Sequence, residues 1–179
     1  EIKTAEKALR IIKKLRHFVS KLPKEMPIRL CHNDTKLNNM LFNRSTQKGC
    51  CLIDLDTLMP GYAFYDFGDA LRTIANTWAE GAEEKPVAFR KDHALAFIKG
   101  LCSNPKVFSI SEWESLPFGA VYMPFIHGLR ALTDYLSGNV YYKVRYELEN
   151  LDRASGLLDF ATVANSQQAF LKHAIQEAL

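Results

Sequence analysis

CHNDTKLNNMLF, Cys31 to Phe42, and CLIDLDTLMPGYAFYDFGDALR, Cys51 to Arg72, stand on either side of a short polar turn. The first holds His32-x-Asp34, with Asn39 five residues after Asp34. The second delivers Asp54, 20 residues after Asp34, at the end of an apolar run, and Asp56 follows it. Ile28–Cys31 reads as a strand running into His32, Met40–Phe42 as a second strand and Cys50–Leu55 as a third, with Asn43–Gly49 as the turn. Beyond Pro60-Gly61 the pattern turns helical. The expectation is one helix over Asp66–Ala79, with Ala70, Leu71, Ile74 and Trp78 on a face.

Working outward, a loop around Gly81–Pro86 and a helix near Ala88–Leu101 follow. Ser111 with Glu114 three residues later has the form of a capping box, opening a long apolar helix that ends near Gly138. Residues 139–179 read as helical in two pieces, with a second start signal at Asn165 and Gln168. At the other end, Ala5, Ala8, Leu9, Ile12, Leu15, Val19 and Leu22 recur at helical spacing between Lys and Arg residues. The fold class expected is α+β, mainly α, with a small β-hairpin region carrying the loop at His32–Asn39. No repeat, low-complexity tract or linker divides the 179 residues, which are read as a single domain.

The net charge of +3 is unevenly spread: residues 1–29 carry nine Lys/Arg against three Glu, and the remainder is net acidic. A solvated face of an amphipathic helix accounts for that excess. No interleaved aromatic or glycine pattern supports nucleic-acid binding. No apolar run reaches membrane-spanning length, so neither nucleic acid nor membrane is an expected partner. Cys31, Cys50, Cys51 and Cys102 lack metal-ligand spacing and read as reduced thiols of a cytoplasmic protein.

The chemistry that fits Asp34, Asn39 and Asp54 is phosphoryl transfer. That reaction needs a carboxylate to accept a hydroxyl proton and oxygen ligands for Mg²⁺ on the phosphates. HNDTKLNN resembles the H-x-D-x-x-x-x-N catalytic loop of kinases, and CLIDLD resembles the strand end of the aminoglycoside phosphotransferase and choline kinase superfamily. Within that branch HNDTKLNN, IDLDTLMPG, YDFGDALR and the later RALTDYLSGNVYYK are similar to the N-acetylhexosamine 1-kinases, over residues 28 to about 155.

That resemblance implies the C-terminal lobe of a protein-kinase-like fold. It makes Asp34 the general base, Asn39 and Asp54 the Mg²⁺ ligands, and Asp56 an outer or second-metal carboxylate. It has His32 brace the loop and Lys36 steady the transferred phosphate. ATP is the implied donor and a small-molecule hydroxyl the acceptor, the anomeric hydroxyl of an amino sugar before an aminoglycoside, choline or homoserine. The nine glycines include no G-x-G, and the chain starts at Glu1 directly in a helix. The expectation is a lobe without its nucleotide-clasping partner, inactive alone. A catalytically silent module binding a sugar or a protein is the alternative.

Asp66-Phe67-Gly68 carries the letters of the kinase metal motif, but it opens a helix rather than ending a strand. Its Asp therefore reads as a helix-start residue. Asp69 and Arg72 share a face of that helix, and Arg130 and Asp134 share one further on. Each pair is a candidate for substrate binding or for pairing internally. Asp54-Leu55-Asp56 also resembles the start of a haloacid-dehalogenase phosphatase, yet the βαβ alternation of that fold is missing.

Overall fold

The basic N-terminal segment forms α1 (Ile2–Leu15) and the one-turn α2 (His17–Ser20) in the computed structural model, which describes residues 2–23, 25–78 and 87–179. Ala8 and Leu15 lie seven residues apart on one stripe and are buried, while Leu9 and Val19 face solvent. The apolar face is thus narrower than the periodicity implies. α1 packs on a later helix, α6 (Glu149–Ser166).

Four short strands follow in two antiparallel pairs. β1 (Arg29–Cys31) pairs with β4 (Met59–Gly61), and β2 (Met40–Phe42) pairs with β3 (Gly49–Leu52). β4 occupies the Pro60-Gly61 segment expected to be a break. A proline is tolerated there because every strand of a two-stranded sheet is an edge. The third strand stops at Leu52, short of the expected Leu55, because Asp54 turns left-handed (φ 66°, ψ 53°) into a 3₁₀ turn over Leu55–Thr57.

α3 spans Ala63–Ile74, three residues earlier than Asp66 at its start and well short of Ala79, which lies outside the described residues. Trp78 is buried but beyond the helix. The loop expected at 81–86 is also outside the described residues. α4 covers Lys91–Cys102 and α5 covers Ile110–Leu136.

The capping box of α5 is Ser109 with Glu112, two residues upstream of the Ser111/Glu114 pair expected. The reason is tertiary. The Glu112 carboxylate is fully buried and also takes a two-pronged contact from Arg29 Nε and Nη2, both at 2.7 Å, tying α5 to β1. Arg29 and Ser109 together hold the Glu112 carboxyl down at about 2.

Residues 139–148 are not helical as expected. α5 ends at Leu136, Gly138 (φ 86°) and Asn139 (φ 59°) turn left-handed just beyond it, and the chain loops before α6. α7 spans Gln168–Ala178, close to the second start signal.

The core gathers on α5, which packs against α3 on one side and α6 on the other. Phe64, Phe125 and Phe160 are among its fully buried side chains. At the α3–α5 crossing a β-carbon on Gly68 would stand 2.0 Å from the Gly119 carbonyl oxygen, and one on Gly119 would stand 2.0 Å from that of Phe64. Only two glycines permit that approach. The architecture is mainly helical with small antiparallel sheets, the class expected. It has no parallel sheet among the described residues, which removes the phosphatase reading. No helix among the described residues is long and apolar enough to cross a membrane.

Candidate active site

The chain leaves β1 at Cys31 and enters a loop held from three sides. The Asp66 carboxylate accepts the backbone N–H of His32 at 2.8 Å and of Asn33 at 2.7 Å. Thr57 Oγ1 donates to the His32 carbonyl at 2.6 Å, and His32 Nε2 lies 3.1 Å from the Ile53 carbonyl. Asn33 adopts φ 59°, where Asn is among the few residues tolerated. Its Nδ2 donates to the Cys31 and Thr57 carbonyls. These contacts couple the loop after β1 to the segment bearing Asp54. His32 thus sits buried as a brace between the two.

That scaffold fixes the polar cluster. Asp34 Oδ2 receives Asn39 Nδ2 at 2.8 Å and Lys36 Nζ at 2.6 Å. Asn39 is buried, and its Nδ2 also donates to the Asp34 carbonyl while lying 3.5 Å from Asp54 Oδ2. Lys36 Nζ is 3.8 Å from Asp54 Oδ2, so it bridges the two carboxylates. Partial burial opposes its charge, but Asp34 and Asp54 outweigh that and raise its pKa. Asp34, Lys36, Asn39 and Asp54 are therefore brought together, from a loop and a strand end 20 residues apart. Asp56 is exposed on the 3₁₀ turn and makes no hydrogen bond or ion pair among the described residues.

Asp34 and Lys36 form one rim of a cleft of about 340 Å³. Asn33 and Thr57 join them, and helices and the loop after α5 supply Arg72, His127, Arg130, Tyr141, Tyr142, Arg153 and Leu157. Asp69 and Arg72 do pair: Arg72 Nε is 2.7 Å from Asp69 Oδ1. Asp69 itself is fully buried behind the lining, while Arg72 reaches the cleft. Burial works against the Asp69 charge, but the His127 ring and the Arg72 guanidinium outweigh it and hold the carboxyl below its usual range. His127 Nε2 comes within 3.1 Å of Asp69 Oδ1 yet off the hydrogen-bond line.

Arg130 and Asp134 do not pair with each other. Arg130 lines the cleft over the Tyr141 ring at 5.8 Å. Asp134 is buried and accepts the backbone N–H groups of Tyr141 (2.8 Å) and Tyr142 (3.0 Å) and the Asn150 amide (2.8 Å). Burial raises and these donors lower its pKa, with the donors winning. Asp69 and Asp134 thus sit behind the surface that Arg72 and Arg130 present.

Asp66 is not the cap of its own helix, which begins at Ala63. Its carboxylate serves the loop of His32 and Asn33, and burial keeps its pKa raised despite those two donors. Phe67 stacks on Phe97 in the core, and Gly68 makes the α3–α5 approach. Sequence reasoning missed Asn33, Thr57, His127, Tyr141, Tyr142, Arg153 and Leu157 as site residues. Tyr141 and Tyr142 lay inside RALTDYLSGNVYYK, but a lone His127 in an apolar helix gives no spacing signal.

Among the described residues no three His, Cys, Asp or Glu side chains converge as a metal site. Two carboxylates and an amide do converge, at Asp34, Asp54 and Asn39. Asn39 turns its Nδ2 toward both carboxylates here, so the two carboxylates are the oxygen donors that face each other. With the Asn39 Oδ1 turned inward the set would suit Mg²⁺, which takes one or two carboxylates with phosphate oxygens and waters, rather than a softer ion.

The model of the phosphotransferase enzyme family, APH, matches residues 2–100. The match takes in Asp34, Lys36, Asn39 and Asp54, and stops before His127, Arg130, Tyr141, Tyr142 and Arg153. With more than half its length matched, this chain belongs to the phosphotransferase enzyme family.

Proposed function

We propose that this chain is the catalytic-loop lobe of an ATP-dependent kinase that phosphorylates a small-molecule hydroxyl, the anomeric hydroxyl of an N-acetylhexosamine. The observation that carries the reading is the state of Asp34. Its Oδ2 is engaged by Lys36 and Asn39, while its Oδ1 makes no hydrogen bond among the described residues, on a side chain that lines the cleft. That oxygen is available to accept the acceptor's hydroxyl proton. As the proton passes to Asp34, the acceptor oxygen bonds the γ-phosphorus and the bond to the β,γ-bridging oxygen breaks, releasing ADP. Lys36 lies beside the base and meets the charge of the transferred group. Asn39 and Asp54 would hold Mg²⁺, which supplies charge neutralisation on the phosphates when bound.

The chain has no glycine-rich phosphate cover, and we place that part in a second, nucleotide-clasping lobe. Leu30, Leu41, Phe42, Leu52, Leu55 and Met59 are exposed on and beside β1–β4, which supports a lobe packing there. The test is Asp34→Asn in the full-length protein, with ADP formation followed against N-acetylglucosamine, N-acetylgalactosamine, choline and kanamycin. Turnover should drop by about 10²–10⁴-fold. Turnover near wild type would remove Asp34 as the base. Cleft cations disfavour choline and kanamycin, whose positive charge would meet Arg72, Arg130 and Arg153.

A further inference from the structure

We infer that the acceptor carries an anionic substituent, a carboxylate or a phosphate, and that Arg130 binds it, with Arg153 in the same cleft lining. The inference rests on the kinase reading and extends it to the acceptor's charge. The cleft lining holds Lys36, Arg72, Arg130 and Arg153 against a single carboxylate, Asp34. Lys36 is matched by Asp34, and Arg72 by Asp69. Arg153 is partly matched by Glu149 Oε1, 3.7 Å from its Nη2, and Glu149 is shared with Arg145 at 3.0 Å. Arg130 is exposed, has no carboxylate within ion-pair distance among the described residues, and lies over the Tyr141 ring. The cleft that Asp34 lines therefore keeps one guanidinium in excess.

A second observation points the same way. Three buried side-chain nitrogens among the described residues have no hydrogen-bond partner: His32 Nδ1, His127 Nε2 and Arg153 Nε. Two of the three belong to cleft residues. Buried polar atoms are nearly always paired, and His127 Nε2 already lies 3.1 Å from Asp69 Oδ1, which leaves Arg153 Nε as the buried cleft nitrogen without a partner. Tyr141 under Arg130 holds that guanidinium against a ring and leaves its N–H edge for a planar or tetrahedral oxyanion, whereas Arg153, over Tyr142 at 4.9 Å, already donates from Nη1 to Asn150 Oδ1 at 2.8 Å. A neutral sugar would leave these donors unmatched, and a cationic one would be repelled.

The experiment measures kcat/KM of the full-length protein for matched acceptors: a neutral N-acetylhexosamine, the same sugar with a carboxylate and the same sugar with a phosphate away from the anomeric carbon. The wild type should favour at least one anionic acceptor over the neutral sugar by about tenfold or more, the scale of one charge-assisted contact, and the better arm identifies the anion. Arg130→Met should remove most of that preference. Equal or lower kcat/KM for both anionic sugars overturns the inference, as does a ratio unchanged in Arg130→Met. A variant that raises only the KM for ATP assigns the guanidinium to the nucleotide and overturns it too. Calorimetric binding of the three sugars runs beside turnover. If no sugar supports ADP formation, the kinase reading fails, while tighter binding of an anionic sugar still upholds the charge assignment and equal binding still ends it.

Discussion

Asp66 accepts the backbone N–H of Asn33 at 2.7 Å, joining the second residue of the candidate catalytic loop to the first turn of α3. One carboxylate thereby fixes the left-handed backbone immediately before Asp34. Asp66→Asn would keep one acceptor oxygen and place an NH₂ against the other N–H. It should cost about 1–3 kcal/mol of stability and lower kcat with little change in the KM for ATP. Steady-state kinetics beside a thermal melt check this. An unchanged kcat with a lowered Tm would leave Asp66 with a folding role only.

Asn39→Ala and Asp54→Asn should each raise the Mg²⁺ concentration needed for half-maximal turnover by about tenfold or more, the usual scale for disturbing a metal site. Asp56→Asn should shift it far less, since Asp56 stands apart on the exposed turn. A Mg²⁺ titration of activity reads all three. A larger shift in Asp56→Asn than in Asp54→Asn would reverse the assignment.

Gly68→Ala tests the helix crossing rather than the chemistry. The added β-carbon meets the Gly119 carbonyl oxygen at 2.0 Å, and backbone cannot swing aside as a side chain can. The loss should reach about 3 kcal/mol, the upper part of the range for overpacking. Chemical denaturation measures it. Gly100→Ala, where no atom lies within 4 Å of the new β-carbon, is the control and should be neutral or stabilising.

The Arg29–Glu112 pair gives a pH dependence. The folded-state carboxyl of Glu112 titrates at about 2, below its ordinary 4.5, so its contribution is present above about 4.5 and is lost as pH falls toward 2. Arg29→Ala should reduce this acid-side loss and lower neutral-pH stability by a modest amount. That is less than a fully buried pair would give, because the Arg29 side chain is 43 % exposed. Urea midpoints between about pH 3 and 7 supply the comparison, and parallel wild-type and variant curves would refute it.

Asp134→Asn should loosen the loop after α5 without touching substrate directly. Asp134 binds two consecutive backbone N–H groups of that loop, and the loop carries Tyr141 and Tyr142 into the cleft. The expected signature is a higher acceptor KM, near-normal KM for ATP, and faster amide exchange at residues 140–142. Exchange unchanged at those amides would show that other contacts hold the loop.

The local grouping of these polar residues was legible in the sequence. The order His32, Asp34, Asn39 and Asp54 follows from a short loop and a strand end, and the helical spans follow from hydrophobic period and polar breaks. Caps and boundaries were less legible. Ser109 won over Ser111 because Glu112 is fixed by Arg29, 83 residues away, a contact with no local signal. β4 was hidden because Pro60 is compatible with an edge strand only once β1 lies beside it.

The sequence by itself determined the candidate catalytic set, since Asp34 and Asp54 lie 20 residues apart and the chain between them has little freedom in where it returns. Only the tertiary structure decided what Asp66, Phe67 and Gly68 do, and which charges line the cleft. Asp69 and Asp134 look equivalent to Arg72 and Arg130 along a helix, but packing on α5 and α6 buries the carboxylates and leaves the guanidiniums at the cleft. Burial favours that split because each carboxylate can be satisfied by donors already inside, whereas a long arginine can pack its stem and still present its N–H edge to the opening.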